Sequence, residues 1–201
     1  MCGDEMNKLV CGVGFNDKTR PSKVDGKKVK EYQLWQNMLI RCFSDKYQTR
    51  QPTYKGCSVS DNFLHYSFFY DWCQEQIGFG KVDDKGRGWC LDKDLLLIGN
   101  KTYSETTCVF VPHEINLFFT DSGNARGEYP IGVYFDKARG KFVAQCTVNG
   151  KIKNLGRFNT HQEAFTVYKP FKENLCKQLA LKWQSEIDER LFNAMMKWSI
   201  K

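Results

Sequence analysis

Between Trp89 and Asn116 the chain gathers the residue types that metal-assisted phosphodiester chemistry requires. Asp92, Lys93 and Asp94 follow one another at the end of a short apolar stretch, and Gly99-Asn100 marks a turn. Cys108-Val-Phe-Val111 is a second apolar run, after which Pro112 starts a short helix carrying His113 and Asn116. A strand end can supply a carboxylate, Asp92, and a helix can supply an oxygen ligand about one turn in, Asn116. A divalent cation between them can hold a scissile phosphate and absorb the charge that develops on the leaving oxygen. Cleavage also needs a deprotonated water. His113, three residues before Asn116, projects from nearly the same helix face and is a candidate to reach the metal or that water. Asp94 is a candidate second carboxylate or water-positioning group. The plainer reading makes His113 a surface residue, with Asp92 and Asp94 as loop carboxylates paired with Lys93 or Lys101.

These residues must be carried by strand, polar loop, strand and helix in that order, and the preceding chain has the patterns of a core to support them. Residues 1–30 are polar with one apolar piece, Leu9-Val-Cys-Gly-Val13, which predicts an extended arm or edge strand. From Glu31, the positions of Tyr32, Trp35, Met38, Leu39 and Cys42 follow the three-and-four spacing of a helix with one buried face. Ser60 or Asp61 can cap a second helix, with Leu64, Phe68 and Trp72 as one stripe and Phe69, Cys73 and Ile77 as its neighbour. Residues 78–88 then break the pattern with four glycines.

Residues 120–130 are polar and turn-rich, and the expected division is a first domain over 1–119, a linker over 120–130 and a second domain over 131–201. Beyond the linker the apolar period becomes two. Strands are predicted over residues 132–136, Lys141–Val148 and Lys151–Phe158, the last two joined by an Asn149-Gly150 hairpin turn. In the middle strand Phe142, Ala144, Cys146 and Val148 share the phase toward a helix, leaving Lys141, Val143, Gln145 and Thr147 on an open face. Thr160-His-Gln-Glu163 is a capping box, and Ala164, Phe165 and Tyr168 continue its helix. Pro170 kinks or restarts it. Leu175, Leu179, Trp183, Ile187, Leu191 and Met195 then make a long amphipathic tail that packs on its own protein or meets a host or phage protein partner. Residues 131–158 hold six basic side chains, Lys137, Arg139, Lys141, Lys151, Lys153 and Arg157, against the single acid Asp136. A basic three-stranded sheet has the size to enter a DNA major groove.

The run Gly132-Val-Tyr-Phe-Asp-Lys, with Lys141-Phe-Val-Ala-Gln, Leu155-Gly-Arg-Phe and Thr160-x-x-Glu-Ala164, resembles the Apetala-type DNA-binding domain in the form attached to bacteriophage endonucleases. The likeness covers residues 131–180. It implies that Tyr134, Gln145, Thr147, Ile152 and Asn154 meet base edges, while Lys137, Arg139, Lys141, Lys151 and Arg157 contact phosphates in a salt-dependent way. The plant domains place several Arg and a Trp at such positions, so weak sequence preference is expected here. The segment from Asp92 to Asn116 is similar to the HNH motif of phage homing-type endonucleases. Trp35-x-x-Met-Leu and Phe68-x-x-x-Trp72 resemble the leader region of the same proteins. That resemblance gives Asp92 and Asn116 the metal, Mg²⁺ or Mn²⁺. It puts Lys93 in the place of the general-base histidine and Cys108 near that of the middle asparagine that steadies the loop. Lys93 would serve as a base only with a pKa far below its ordinary value of about 10.4.

The expected fold class is α+β: an N-terminal helical and ββα-metal domain of degenerate HNH-like type, then a three-stranded antiparallel sheet with its helix and a long C-terminal helix. The net charge of +7 over 201 residues favours a polyanion, here double-stranded DNA. Nine cysteines without a C-x-x-C pair fit neither a zinc cluster nor a disulfide framework, so no structural zinc is expected. No apolar run reaches the roughly 18–20 residues of a membrane span, and Met1-Cys-Gly-Asp-Glu lacks the order of a secretory signal. A cytoplasmic protein of an infected host is the expectation. Three functions remain open: a nicking or cleaving endonuclease, a DNA-binding protein that keeps the nuclease scaffold without turnover, and a protein-protein inhibitor working through the C-terminal helix.

Overall fold

A computed structural model describes residues 9–120 and 128–200. Met1 to Lys8 of the arm, residues 121–127 of the expected linker and Lys201 lie outside the described residues. The fold is α+β, with helices and several small sheets. The chain forms two compact units, one of Met1–Asn116 with Glu186–Leu191, the other of Leu117–Ser185 with Phe192–Lys201.

In the first unit a short hairpin, β1 (Lys23–Val24) and β2 (Lys27–Lys28), leads into α1 (Lys30–Phe43). Its buried face is Trp35, Met38, Leu39 and Cys42, at the spacing that the sequence predicts. Burying Trp35 requires a partner for its indole N–H, and the Phe63 carbonyl accepts that bond at 2.8 Å. Ser44 then caps α2 (Asp45–Arg50), followed by a 3₁₀ turn at Pro52–Tyr54 and strand β3 (Ser58–Val59).

The second predicted helix is two helices, α3 (Asp61–Leu64), capped by Ser60, and α4 (Tyr66–Glu75). Phe15 divides them: its amide donates to the Leu64 carbonyl and its carbonyl accepts from the Tyr66 amide, each at 2.9 Å. His65 is thereby drawn into extended backbone, φ −91° and ψ 118°. The break rotates the buried face. Phe63, Tyr66, Phe69, Trp72 and Cys73 are buried, whereas Phe68 and Ile77, placed on apolar stripes by the sequence pattern, are exposed.

Three further strands follow: β4 (Cys90–Asp92), β5 (Thr102–Tyr103) and β6 (Val109–Val111). Strand β4 pairs antiparallel with β6, setting Asp92 opposite Val109, and β5 pairs in parallel with β3. Helix α5 (His113–Phe119) comes directly after β6 and Pro112.

In the second unit β7 (Val133–Asp136), β8 (Lys141–Val148) and β9 (Lys151–Phe158) form an antiparallel sheet in the order β7-β8-β9. Asn149 and Gly150 both take positive φ, 51° and 75°, as a two-residue hairpin turn needs. A bulge at Ala144/Gln145 faces Gly156, whose φ of +144° suits glycine. Gly132 is required twice over: its φ is +78°, and a Cβ there would lie 2.1 Å from the ring of Tyr168. The sheet packs through Val133, Ala144 and Cys146 on Ala164 and Tyr168 of α6 (His161–Trp183), with Ile200 in the same core.

Thr160 accepts from the Glu163 amide as the predicted cap requires, whereas the Glu163 carboxylate reaches one residue past the cap and accepts from the Asn159 amide. Helix α6 passes through Pro170 without ending. The expected single tail does end at Trp183, and α7 (Glu189–Met196) starts anew where Asp188 accepts the Arg190 amide at 2.7 Å. Among the described residues no helix is long and apolar enough to cross a membrane.

Candidate functional site

Strand β4 ends at Asp92 because its carboxylate turns the chain: Oδ1 accepts the amides of Asp94 and Leu95, both at 2.9 Å. The turn sends Lys93 inward. It is only 7 % exposed, and its Nζ donates to Asp94 Oδ2 at 2.8 Å while standing over the Tyr103 ring at 5.5 Å. Asn100 closes the loop from the other side. Its Nδ2 donates to the carbonyls of Lys93 (2.6 Å) and Thr102 (2.7 Å), and its Oδ1 accepts the Thr102 amide at 3.2 Å.

Around this loop lies a cavity of about 370 Å³, whose walls include Asp92, Lys93, Asp94 and Asn116 together with Arg41, Lys101, Tyr54 and Tyr103. Four of the five residues that the sequence nominated for chemistry therefore meet in one place. His113 does not line the cavity. Although three residues from Asn116, it sits about one helical turn back along α5 and roughly 60° around it, and the cavity takes only the later position.

Cys108, near the place of the loop-steadying asparagine in the resemblance, lies fully buried just before β6, where burial pushes its thiol up to about 12. The loop-steadying role falls to Asn100, which the sequence marked only as a turn residue. Its signal was available in retrospect: an asparagine after a glycine can bond backbone on both sides of a loop. Arg41 left no comparable signal, because it belongs to α1 and reaches the site only through tertiary packing.

The electrostatics follow from burial and crowding. Burial, with Asp94 close by, raises Asp92 above the ordinary carboxylate range. For Lys93 burial favours the neutral amine, but the bond to Asp94 and the charges around it outweigh that, and its pKa is raised. Lys93 is held as an ammonium. The plainer reading of the loop holds for that pair alone, since Lys101 Nζ donates to the Thr53 carbonyl at 2.7 Å and not to an acid.

The donor set suits a hard divalent cation in kind: one half-buried carboxylate and one amide. Among the described residues no group of three or more His, Cys, Asp or Glu could hold a metal. A cation here would therefore draw most of its ligands from water and substrate, which is the habit of Mg²⁺ rather than of zinc.

In the second unit the residues nominated for DNA lie mostly in solvent. Tyr134, Lys137, Arg139, Lys141, Thr147, Lys151, Asn154 and Arg157 are exposed, and Gln145 is half-buried. The register aligns Tyr134, Val143 and Arg157 across the three strands, then Gln145 with Asn154 and Thr147 with Ile152. Ile152 is 70 % exposed. Val143, expected on the open face, is 1 % exposed, because it sits on the central strand between the longer side chains of Tyr134 and Arg157. Arg139 is tied to Asp136 at 3.1 Å and Lys141 to the Asn159 side chain, so those two cations are partly committed. Of the two uses open to the apolar stripe of the tail, packing on its own protein takes Ile187, Leu191 and Met195, which are buried.

Compared with known proteins, the chain matches no family model, no curated protein and no solved structure.

Proposed function

We propose that the chain is a DNA-binding protein of the phage HNH endonuclease type, with a phosphodiester site at the Asp92 cavity and a docking face on the open side of β7-β8-β9. The observation that carries this reading is the convergence of Asp92, Lys93, Asp94 and Asn116 on one polar cavity, with Asn100 tying the loop at the Lys93 carbonyl. Asp92 and Asn116 would hold Mg²⁺ or Mn²⁺. When bound, such a cation polarises the phosphate and stabilises the leaving oxygen. Asp92 also shapes the loop through its two amide bonds, and Asn100 fixes the backbone of Lys93. The Lys93 ammonium offers positive charge to a phosphate in a site partly closed to water. On the open face Arg157 presents a cation for a backbone phosphate beside Tyr134, Thr147, Ile152 and Asn154, which offer hydrogen bonds and apolar contact to base edges, and Lys151 stands at the hairpin end.

A second reading, DNA binding without turnover, is favoured by one specific observation. The group in the position of the base is an ammonium bonded to Asp94, and no imidazole lines the cavity. Plasmid nicking in Mg²⁺ or Mn²⁺, run with Asp92→Asn and Asn116→Ala, separates the two. Nicks that vanish in both variants support the endonuclease. Binding that weakens steeply between about 50 and 200 mM salt, with no nicks in any metal, supports the second reading. Nicking that persists in both variants points to a contaminant and removes the active-site assignment. Absence of any duplex shift at low salt removes both readings.

A further inference from the structure

Charge in the Asp92 cavity does not balance within its own walls. Arg41, Lys93 and Lys101 line the cavity together with Asp92 and Asp94. Lys93 and Asp94 satisfy one another at 2.8 Å, and Asp92 Oδ1 is occupied by backbone amides. Arg41 and Lys101 have no carboxylate partner among the described residues. Arg41 is held instead by aromatic groups: its Nη1 donates to Tyr103 Oη at 3.4 Å, and its guanidinium lies over the Tyr54 ring at 5.4 Å. Tyr103 thus serves two cations, Arg41 through its hydroxyl and Lys93 through its ring face. With Lys93 paired to Asp94, Arg41 and Lys101 are the cavity cations to which no carboxylate of the described residues is bonded, and both can meet an anion from outside. The tyrosine hydroxyls of Tyr103 and Tyr47 each take a side-chain hydrogen bond from the guanidinium, which fixes its plane and leaves its remaining N–H donors for a tetrahedral oxyanion.

We infer that Arg41 and Lys101 form a clamp that binds the phosphate of a nucleic-acid diester in this cavity without help from a metal. The inference rests on reading the cavity as a phosphodiester site and names the residues that grip the substrate there. Arg41 supplies the oriented fork, and Lys101, anchored at the Thr53 carbonyl, supplies a point charge. The same chemistry would accept free phosphate, so the test compares both sources.

The test is thermal unfolding of the full chain in EDTA, with thymidylyl-thymidine, inorganic phosphate or chloride at matched ionic strength. The wild type should show a saturable rise in midpoint with the dinucleotide relative to chloride. Arg41→Gln should abolish the rise, Lys101→Gln should reduce it, and Arg41→Lys should recover part of it, because charge without the fork binds more weakly. Lys85→Gln, an exposed cation outside both the cavity and the sheet, should leave it intact. If Arg41→Gln does not fold, Arg41→Lys and Lys101→Gln carry the comparison. An equal rise in wild type, Arg41→Lys and Lys101→Gln overturns the clamp. So does a rise with inorganic phosphate alone, which would mark a free-phosphate site. An Arg41-dependent rise in a protein that never nicks DNA leaves the clamp standing and removes the nuclease reading. Asp92-dependent nicking unaffected by Arg41→Gln does the reverse.

Discussion

Asp92 takes the amides of Asp94 and Leu95 on one oxygen, while burial and the neighbouring Asp94 disfavour its charge. An alanine at this position removes both properties and confuses a chemical test with a structural one. Asparagine keeps the accepting oxygen and discards the charge. Asp92→Asn should therefore leave stability unchanged or raise it by up to about 1 kcal/mol, whereas Asp92→Ala should lose about 1–2 kcal/mol as the loop gives up two backbone bonds. Urea unfolding of the two variants in EDTA measures the difference, and equal stabilities would mean that the Asp92 turn does not hold the loop. At this scale the sequence was legible where chemistry and neighbourhood coincide. Asp92, Lys93 and Asp94 are consecutive, and Asn116 follows on the next strand-helix unit, so their meeting required only local geometry. Arg41 and the Asn100 bridge were hidden, because neither residue type nor spacing says which loop a distant guanidinium will reach.

Helices and strands were readable where one period governs a whole element. The sheet β7-β8-β9 is specified by alternation and by Asn149-Gly150, a turn whose positive backbone angles almost dictate the hairpin. The division of α3 from α4 was not readable, since Phe15 imposes it from the N-terminal arm by pairing with Leu64 and Tyr66. Likewise, Leu175 to Met195 has the period of one helix, but Asp188 starts a second one inside it. The end of the chain is then fastened to α6 by one carboxylate. Glu173 Oε1 accepts from Ser199 Oγ at 2.6 Å and from the Ile200 amide at 3.0 Å, and the Ser199 bond foremost holds Glu173 below its ordinary pKa. A depressed folded value means that this fastening contributes in full above the unfolded pKa of about 4.3 and is lost as pH falls through the folded value. The amide protection factor of Ile200 should accordingly fall on acidification below about pH 4.3. In Glu173→Gln that protection should be weaker at neutral pH and should not change over the same acid range. Protection in the wild type that is indifferent to acid would mean that Ile200 is held by its core contacts alone.

At the scale of the whole molecule, the chain changes units more than once. It leaves the first after Asn116, returns at Glu186–Leu191, and re-enters the second at Phe192–Lys201. No single cut in sequence therefore yields both units intact. Ile187 and Leu191 are buried in the returning segment, and Met195 and Ile200 are buried in the last. Fully burying an aliphatic side chain contributes about 1.5–3 kcal/mol, a large share of the stability of a unit this small. A chain ending at Ser185 should consequently lose a few kcal/mol in each unit, less the ordering entropy of the residues removed. Cutting instead within residues 121–127, and keeping both fragments together, leaves every buried segment present. Hydrogen exchange followed separately on α1 and on β8 tests this. The truncated chain should lose protection in both elements, and the nicked pair should retain it in both. Loss confined to β8 would show that Ile187 and Leu191 add nothing to the first unit and that its core is complete by Asn116.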